Sequence, residues 1–235
     1  NAFLTLTYDD EHLPEDGSVN VVHFQQFMKR LRDVYGAGIR FYHCGEYGEK
    51  NNRPHYHAIV FGHTFPADRF VRSGQEPLWR CDWLSEEVWK NGSVTIGNVT
   101  RESVAYVARY AMKKVLGATA ESEEMRDEIY GRFDPDTGEF WRVAPEFACM
   151  SRRPGIGAEW FDQFKSDVYP SDEVVLGGRV QRPPRFYDDR LSEAELEEIK
   201  ARRVEKVNKE DATPERLAVR EMVAKAKGSS FVRSL

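Results

Sequence analysis

Apolar residues and threonines alternate over Ala2–Thr7, and this period of two predicts a strand. A polar loop with Pro14 and Gly17 follows, and Asn20 is placed to cap a helix from Val21 to about Tyr35. Val21, Phe24, Phe27, Met28, Leu31 and Tyr35 recur along that helix at helical spacing, and Gly36 and Gly38 end it. Two β-branched and aromatic runs come next, Ile39–Glu46 and Pro54–Phe61, the second closed by Gly62. The loop between them carries Gly48, Asn51 and Asn52, which predicts a hairpin.

The pattern is harder to read from His63 to Asn91, a stretch holding Trp79, Trp83 and Trp89, with a short helix near Ser85–Lys90. Ser93–Val99 predicts a strand, and Thr100 caps an amphipathic helix from about Arg101 to Leu116 carrying Val104, Val107, Ala108, Ala111 and Val115. The order strand–helix–strand–strand–strand–helix predicts an α+β fold, an open antiparallel β-sheet with helices packed on one face. Beyond Gly117 the pattern predicts a charged helix near Glu121–Tyr130, a turn at Asp134–Gly138, a strand at Phe147–Ser151 and a helix from Gly157 to Val168. A hairpin turning at Gly177-Gly178 and two charged helices, Ser192–Asn208 and Pro214–Lys227, complete the chain. The last two either pack on the core or extend as an arm. The reading divides the chain into 1–190 and a charged helical C-terminal extension, 191–235.

The 235 residues suffice for a sizeable core, and no apolar run approaches a membrane span. The chain opens directly on a core-like strand without an initiator Met, so the expectation is a fragment lacking its natural N-terminus. Cys44, Cys81 and Cys149 are odd in number and far apart, which indicates neither a disulfide framework nor a zinc cage and suits a reducing cytoplasm. A net charge of −5 argues mildly against a nucleic-acid partner. Its distribution leaves that partner open, because base collects at Arg101, Arg109, Lys113 and Lys114, at Arg152 and Arg153, and at Arg179, Arg182 and Arg185.

Two constellations carry candidate chemistry. His55 and His57 lie two apart on a strand and share a face, where two imidazoles can hold a divalent cation if a charged third ligand joins them. Glu46, at the end of the partner strand, is the first choice for that ligand and Glu49 the second. Tyr106 and Tyr110 are four apart on the predicted helix, with Cβ atoms ~5–6 Å from each other on one face, and Lys113 follows one turn later. An aromatic stripe against the core is the plain alternative. However, the valines and alanines already supply an apolar face. Tyrosine, with a pKa of about 10, attacks a phosphodiester when a cation offsets the charge of the non-bridging oxygens. A His-His-Glu site open to substrate suits Mg²⁺ or Mn²⁺ better than structural zinc.

Three stretches in this order, Phe3-Leu4-Thr5-Leu6-Thr7-Tyr8-Asp9-Asp10, Arg53-Pro54-His55-Tyr56-His57 and Tyr106-Val107-Ala108-Arg109-Tyr110 with Lys113, resemble the motifs of microvirus (gokushovirus-like) replication initiators. These belong to the HUH endonuclease superfamily. Met150–Gly157 and Arg182–Tyr187 also look like that group, and the resemblance covers roughly residues 2–190. It implies a ferredoxin-like sheet with His55 and His57 as metal ligands on central strands, and Tyr106 and Tyr110 as nucleophiles. It further implies a rolling-circle initiator that nicks and rejoins single-stranded DNA at the viral origin in the host cytoplasm. The intermediate would be a 5′-phosphotyrosine link with a free 3′-hydroxyl for the host polymerase and helicase to use. Arg109, Lys113, Lys114, Arg152 and Arg153 are the candidate phosphate contacts. No Walker loop is present in the sequence. A water-activating metal phosphoesterase and a non-catalytic nucleic-acid-binding module remain as rivals, and neither forms a covalent adduct with DNA.

Overall fold

In the computed structural model, residues 1–48, 50–66, 69–72, 77–108, 123–206 and 213–232 are described, with backbone alone at 69–72 and 227–232. The chain divides into two compact units, Asn1–Ile156 and Gly157–Leu235. The sequence reading drew its boundary at 190/191 instead. What moves it is Ile199, in the charged helix, which is buried with Phe161, Val168 and Tyr169.

The first unit is built on a seven-stranded sheet in the order β4-β5-β6-β1-β3-β2-β9. The strands are β1 (Ala2–Tyr8), β2 (Arg40–Tyr47), β3 (Pro54–Phe61), β4 (Arg69–Arg72), β5 (Leu78–Arg80), β6 (Gly92–Gly97) and β9 (Phe147–Met150). Every neighbouring pair is antiparallel. The four central strands, β6-β1-β3-β2, with helix α1 (Val21–Tyr35) crossing from β1 to β2, form the ferredoxin-like arrangement. The short strands β4 and β5 have too few residues to show a period. The same holds for the hairpin of β7 (Gly131–Phe133) and β8 (Phe140–Arg142) around the expected turn.

Asn20 accepts a hydrogen bond from the Val22 N–H and starts α1, and Gly36, at φ 88°, ends it. Phe24, Phe27, Met28 and Leu31 of α1 are buried against Leu4, Leu6, Tyr56, Ala58 and Val60. A π-helical turn, Leu84–Trp89, closes the same core. Arg30 donates to the carbonyls of Val88 and Trp89 at 2.9 and 3.3 Å, and the Trp89 indole donates to the Thr7 carbonyl at 2.9 Å. The bonds from Arg30 satisfy carbonyls that a helix end leaves unpaired.

The other face of the sheet carries a smaller cluster of Cys44, Ile59 and Val107, with Phe3, Tyr42, Val99 and Tyr106 around it. Val107 and Tyr106 lie in α2 (helical residues 101–108), so helices cover both faces and not the single face expected. Val104, assigned to the apolar side of this helix, is exposed. The burial that orients α2 comes from Ser103 and Val107. The charged helix expected before the β7–β8 hairpin is α3 (Glu123–Tyr130), of which Tyr130 alone is buried.

In the second unit α4 (Ala158–Val168), α5 (Arg185–Asp188) and α6 (Glu193–Glu205) surround Phe161, Tyr169 and Ile199. Ser192 and Glu195 form a capping box at the start of α6. Arg203 bridges Asp172 and Asp188 at 2.6 and 2.7 Å. The predicted hairpin is present as β10 (Val174–Leu176) and β11 (Arg179–Gln181). The last helix, α7 (Pro214–Val232), is exposed over 214–226. Among the described residues no helix is long and apolar enough to cross a membrane.

Candidate active site

The register of the central strands builds the site. Glu46 on β2 pairs with His55 on β3, and Thr5 on β1 pairs with His57. Alternation then puts Thr5, Glu46, His55 and His57 on one face, the face that α2 covers. The His55 and His57 Nε2 atoms lie 2.9 and 2.8 Å from the same oxygen, Glu46 Oε1. The Tyr106 hydroxyl donates to that oxygen too, at 3.0 Å. One ligand atom from each of Glu46, His55 and His57 lies within 4.8 Å of the others, so these three residues could hold a metal ion.

The outward nitrogens are also engaged. His55 Nδ1 lies 3.1 Å from the Arg53 carbonyl, and His57 Nδ1 lies 3.0 Å from Thr5 Oγ1. A carbonyl can only accept, so His55 Nδ1 carries a proton. In neutral His55 the Nε2 lone pair therefore faces a carboxylate oxygen. That pairing of two acceptors requires either a second proton on the ring or a cation between them. Glu46 is 2% exposed, and its second oxygen is buried without a hydrogen-bond partner among the described residues. A cation would satisfy this orphaned oxygen and the two lone pairs together, so the donor set fits a divalent ion.

The electrostatics agree. Burial pushes the Glu46 carboxyl up, but hydrogen bonds from His55 and His57 outweigh it and hold the group down at about 2. Burial lowers His55, yet the bond and charge of Glu46 leave it raised. His57, more deeply buried, is lowered by desolvation despite the same carboxylate. The cluster thus keeps one ionised acid between two imidazoles of opposite tendency. Phe3 stacks on His57 with ring centroids 5.4 Å apart, and Tyr106 meets that ring edge-on at 5.1 Å. Both contacts hold the imidazole in place.

Of the residues singled out in the sequence, Glu46, His55, His57 and Tyr106 are brought together. Glu49, Arg109, Tyr110, Lys113 and Lys114 lie outside the described residues. Arg152 and Arg153 are exposed in the turn after β9 and are not brought to the cluster. Met150 pairs with Tyr42 at the opposite end of β2 from Glu46, on the order of 13 Å of strand away. Sequence reasoning missed Thr5, Phe3 and the Arg53 carbonyl. The alternation of β1 was the available signal for the first two, but it needed the β1–β3 register to acquire meaning.

Residues 1–115 match the family model of replication-associated proteins of the ORF2 type. The replication-associated protein VP4 of Bdellovibrio phage phiMH2K is 30% identical over 201 residues, covering 80% of this chain and 57% of that protein. The ORF2 replication-associated protein of Spiroplasma virus 4 is 33% identical over 229 residues, covering 89% of this chain and 64% of that protein. The ORF4 replication-associated protein of Chlamydia phage 1 is 30% identical over 201 residues, covering 81% and 46%. The chain thus spans about half to two thirds of the length of these relatives. No solved structure matches.

Proposed function

Because the chain is kin to the microvirus-type replication-associated proteins of phages, we propose that it initiates rolling-circle DNA replication as a metal-dependent, tyrosine-dependent endonuclease and strand transferase. The observation that carries this reading is the convergence of the Tyr106 hydroxyl and both histidine Nε2 atoms on Glu46 Oε1. His55, His57 and Glu46 would hold Mg²⁺ or Mn²⁺. Bound there, the ion would neutralise the non-bridging oxygens of a phosphodiester.

Glu46 is held ionised at about 2, too weak a base to keep the phenolic proton, so it orients Tyr106 without consuming it. The phenolic oxygen forms a bond to phosphorus as the bond to the 3′ oxygen breaks, and the phenolic proton ends on that 3′ oxygen. The products are a 5′-phosphotyrosine and a free 3′-hydroxyl, the end that a host polymerase, assisted by a helicase, extends. Tyr110, by the resemblance of its motif, is the second nucleophile that cleaves the regenerated origin while the first end is still attached. Arg109, Lys113, Lys114, Arg152 and Arg153 are proposed phosphate contacts.

The test is a labelled pool of randomised single-stranded oligonucleotides incubated with the protein and MnCl₂, then run on a denaturing gel. A protein–DNA adduct that disappears with EDTA, with His57→Ala and with the double variant Tyr106→Phe/Tyr110→Phe is expected. Cleavage without any adduct would point to water as the nucleophile and overturn the tyrosine mechanism.

A further inference from the structure

The Asn51–Pro54 turn that leads into His55 also forms one wall of a cavity of about 390 Å³. Its other walls include Glu15 and Asp16 from the loop after β1, Arg132 from β7 and Trp141 from β8. We propose that this cavity receives one nucleobase of the single-stranded substrate, next to the scissile phosphate, and selects bases with an exocyclic amine over thymine. The proposal rests on the nuclease reading for its substrate, and it adds a specificity site to that reading.

Position is the first argument. His55 Nδ1 donates to the Arg53 carbonyl at 3.1 Å, so the cavity wall and a candidate metal ligand are joined by one hydrogen bond. Two residues of extended chain span roughly 7 Å. That is about one or two nucleotide steps along a strand, given ~3.4 Å per stacked nucleotide. The volume is the second, since it falls within the roughly 300–1,000 Å³ of small-ligand sites.

The lining chemistry is the third. The Trp141 indole N–H is committed to the Asp16 carbonyl at 2.9 Å, so the half-exposed ring is what it offers a ligand. An indole face is a stacking platform for any base. The Asn51 side-chain carbonyl accepts from the Arg53 N–H at 3.2 Å, which leaves its amide N–H groups as donors. Glu15 is exposed at the rim, and Asp16 Oδ1 accepts from the Ser18 N–H at 3.0 Å. Two carboxylates repel a phosphate, so the backbone of the strand is the wrong occupant. They accept hydrogen bonds from the amines of cytosine, adenine and guanine. Thymine meets them with two carbonyls beside a single imino N–H, and is disfavoured.

Adducts from the randomised pool are trapped and sequenced for the parent, Trp141→Ala, Trp141→Phe and Glu15→Gln. The parent should exclude thymine at one position within one or two nucleotides of the cleaved bond. Trp141→Ala should form adducts roughly ten- to a hundredfold less efficiently at low DNA concentration and lose selectivity at that position alone. Trp141→Phe, which keeps an aromatic face, should retain both properties. Glu15 is exposed, so Glu15→Gln keeps the fold, and it should admit thymine there. If Trp141→Ala and Glu15→Gln give the parental sequence profile, the pocket is wrong while the nuclease stands. If the parent forms no adduct, the nuclease reading fails. Anisotropy with labelled oligo(dA), oligo(dC) and oligo(dT) then decides the pocket: parental preference against oligo(dT), levelled by Glu15→Gln, supports it, and equal affinities overturn it.

Discussion

Replacing Thr5 with valine should weaken divalent-ion binding without unfolding the protein. To bind a cation, His57 must leave Nε2 unprotonated, so its proton sits on Nδ1 and is donated to Thr5 Oγ1, 3.0 Å away. In Thr5→Val that donor stays on a ring that is 8% exposed and has lost its acceptor. The alternative tautomer moves the proton to Nε2 and blocks coordination. An unsatisfied buried donor costs about 1–3 kcal/mol, which corresponds to roughly 5- to 150-fold in affinity. Independent experience with partners of metal-bound histidines gives ~10–100-fold, in the same range. Valine has nearly the shape of threonine and suits a strand, so the Thr5↔His57 and Thr5↔Thr95 pairings should survive. The measurement is calorimetric titration with MnCl₂, beside urea unfolding of the metal-free protein. Thr5→Ser should restore most of the affinity. Parental affinity in Thr5→Val would refute the argument, because His57 would then not need Thr5 to present Nε2.

Other outcomes follow from the same structure. His43 is 2% exposed and stacks on Phe24 with centroids 3.6 Å apart, and burial pushes its imidazole down to about 3. Its folded pKa lies below the unfolded ~6.5, so the unfolded chain takes the extra proton between those values and stability falls as pH drops through that window. The loss is about 2 kcal/mol at pH 5. His43→Phe should flatten that part of the urea-midpoint profile, and parallel profiles would count against it. Arg203→Met should leave Asp172 and Asp188 as uncompensated, largely buried carboxylates and lower stability by about 3–5 kcal/mol, read by thermal unfolding. If the two tyrosines take turns, at least one of Tyr106→Phe and Tyr110→Phe should form an adduct on a short oligonucleotide yet fail to close circles. Parental circle formation by either variant would make that tyrosine an ordinary packing residue.

The sequence by itself determined the elements whose periodicity is long or whose punctuation is strong. The alternation of β1, the amphipathic stripe of α1 between Asn20 and Gly36, and the hairpin joining β2 to β3 were all legible, because each is set by local backbone and side-chain preference. The pair His55 and His57 was legible for the same reason: a strand fixes which side chains share a face. The choice of Glu46 followed from hairpin pairing. Tertiary structure decided the rest. The β1–β3 register brought Thr5 to His57, and the face on which α2 packs put the Tyr106 hydroxyl on Glu46 Oε1. Both depend on residues 52 and 60 positions apart, a distance over which no sequence period reports. Val104 was assigned inward on helical spacing alone and is exposed, because burial is set by where the sheet surface lies as well as by the period of the helix. The charged helix α6 likewise hides Ile199 among polar neighbours, and only Phe161 and Tyr169, folded back from α4 and its end, show which side is its inside.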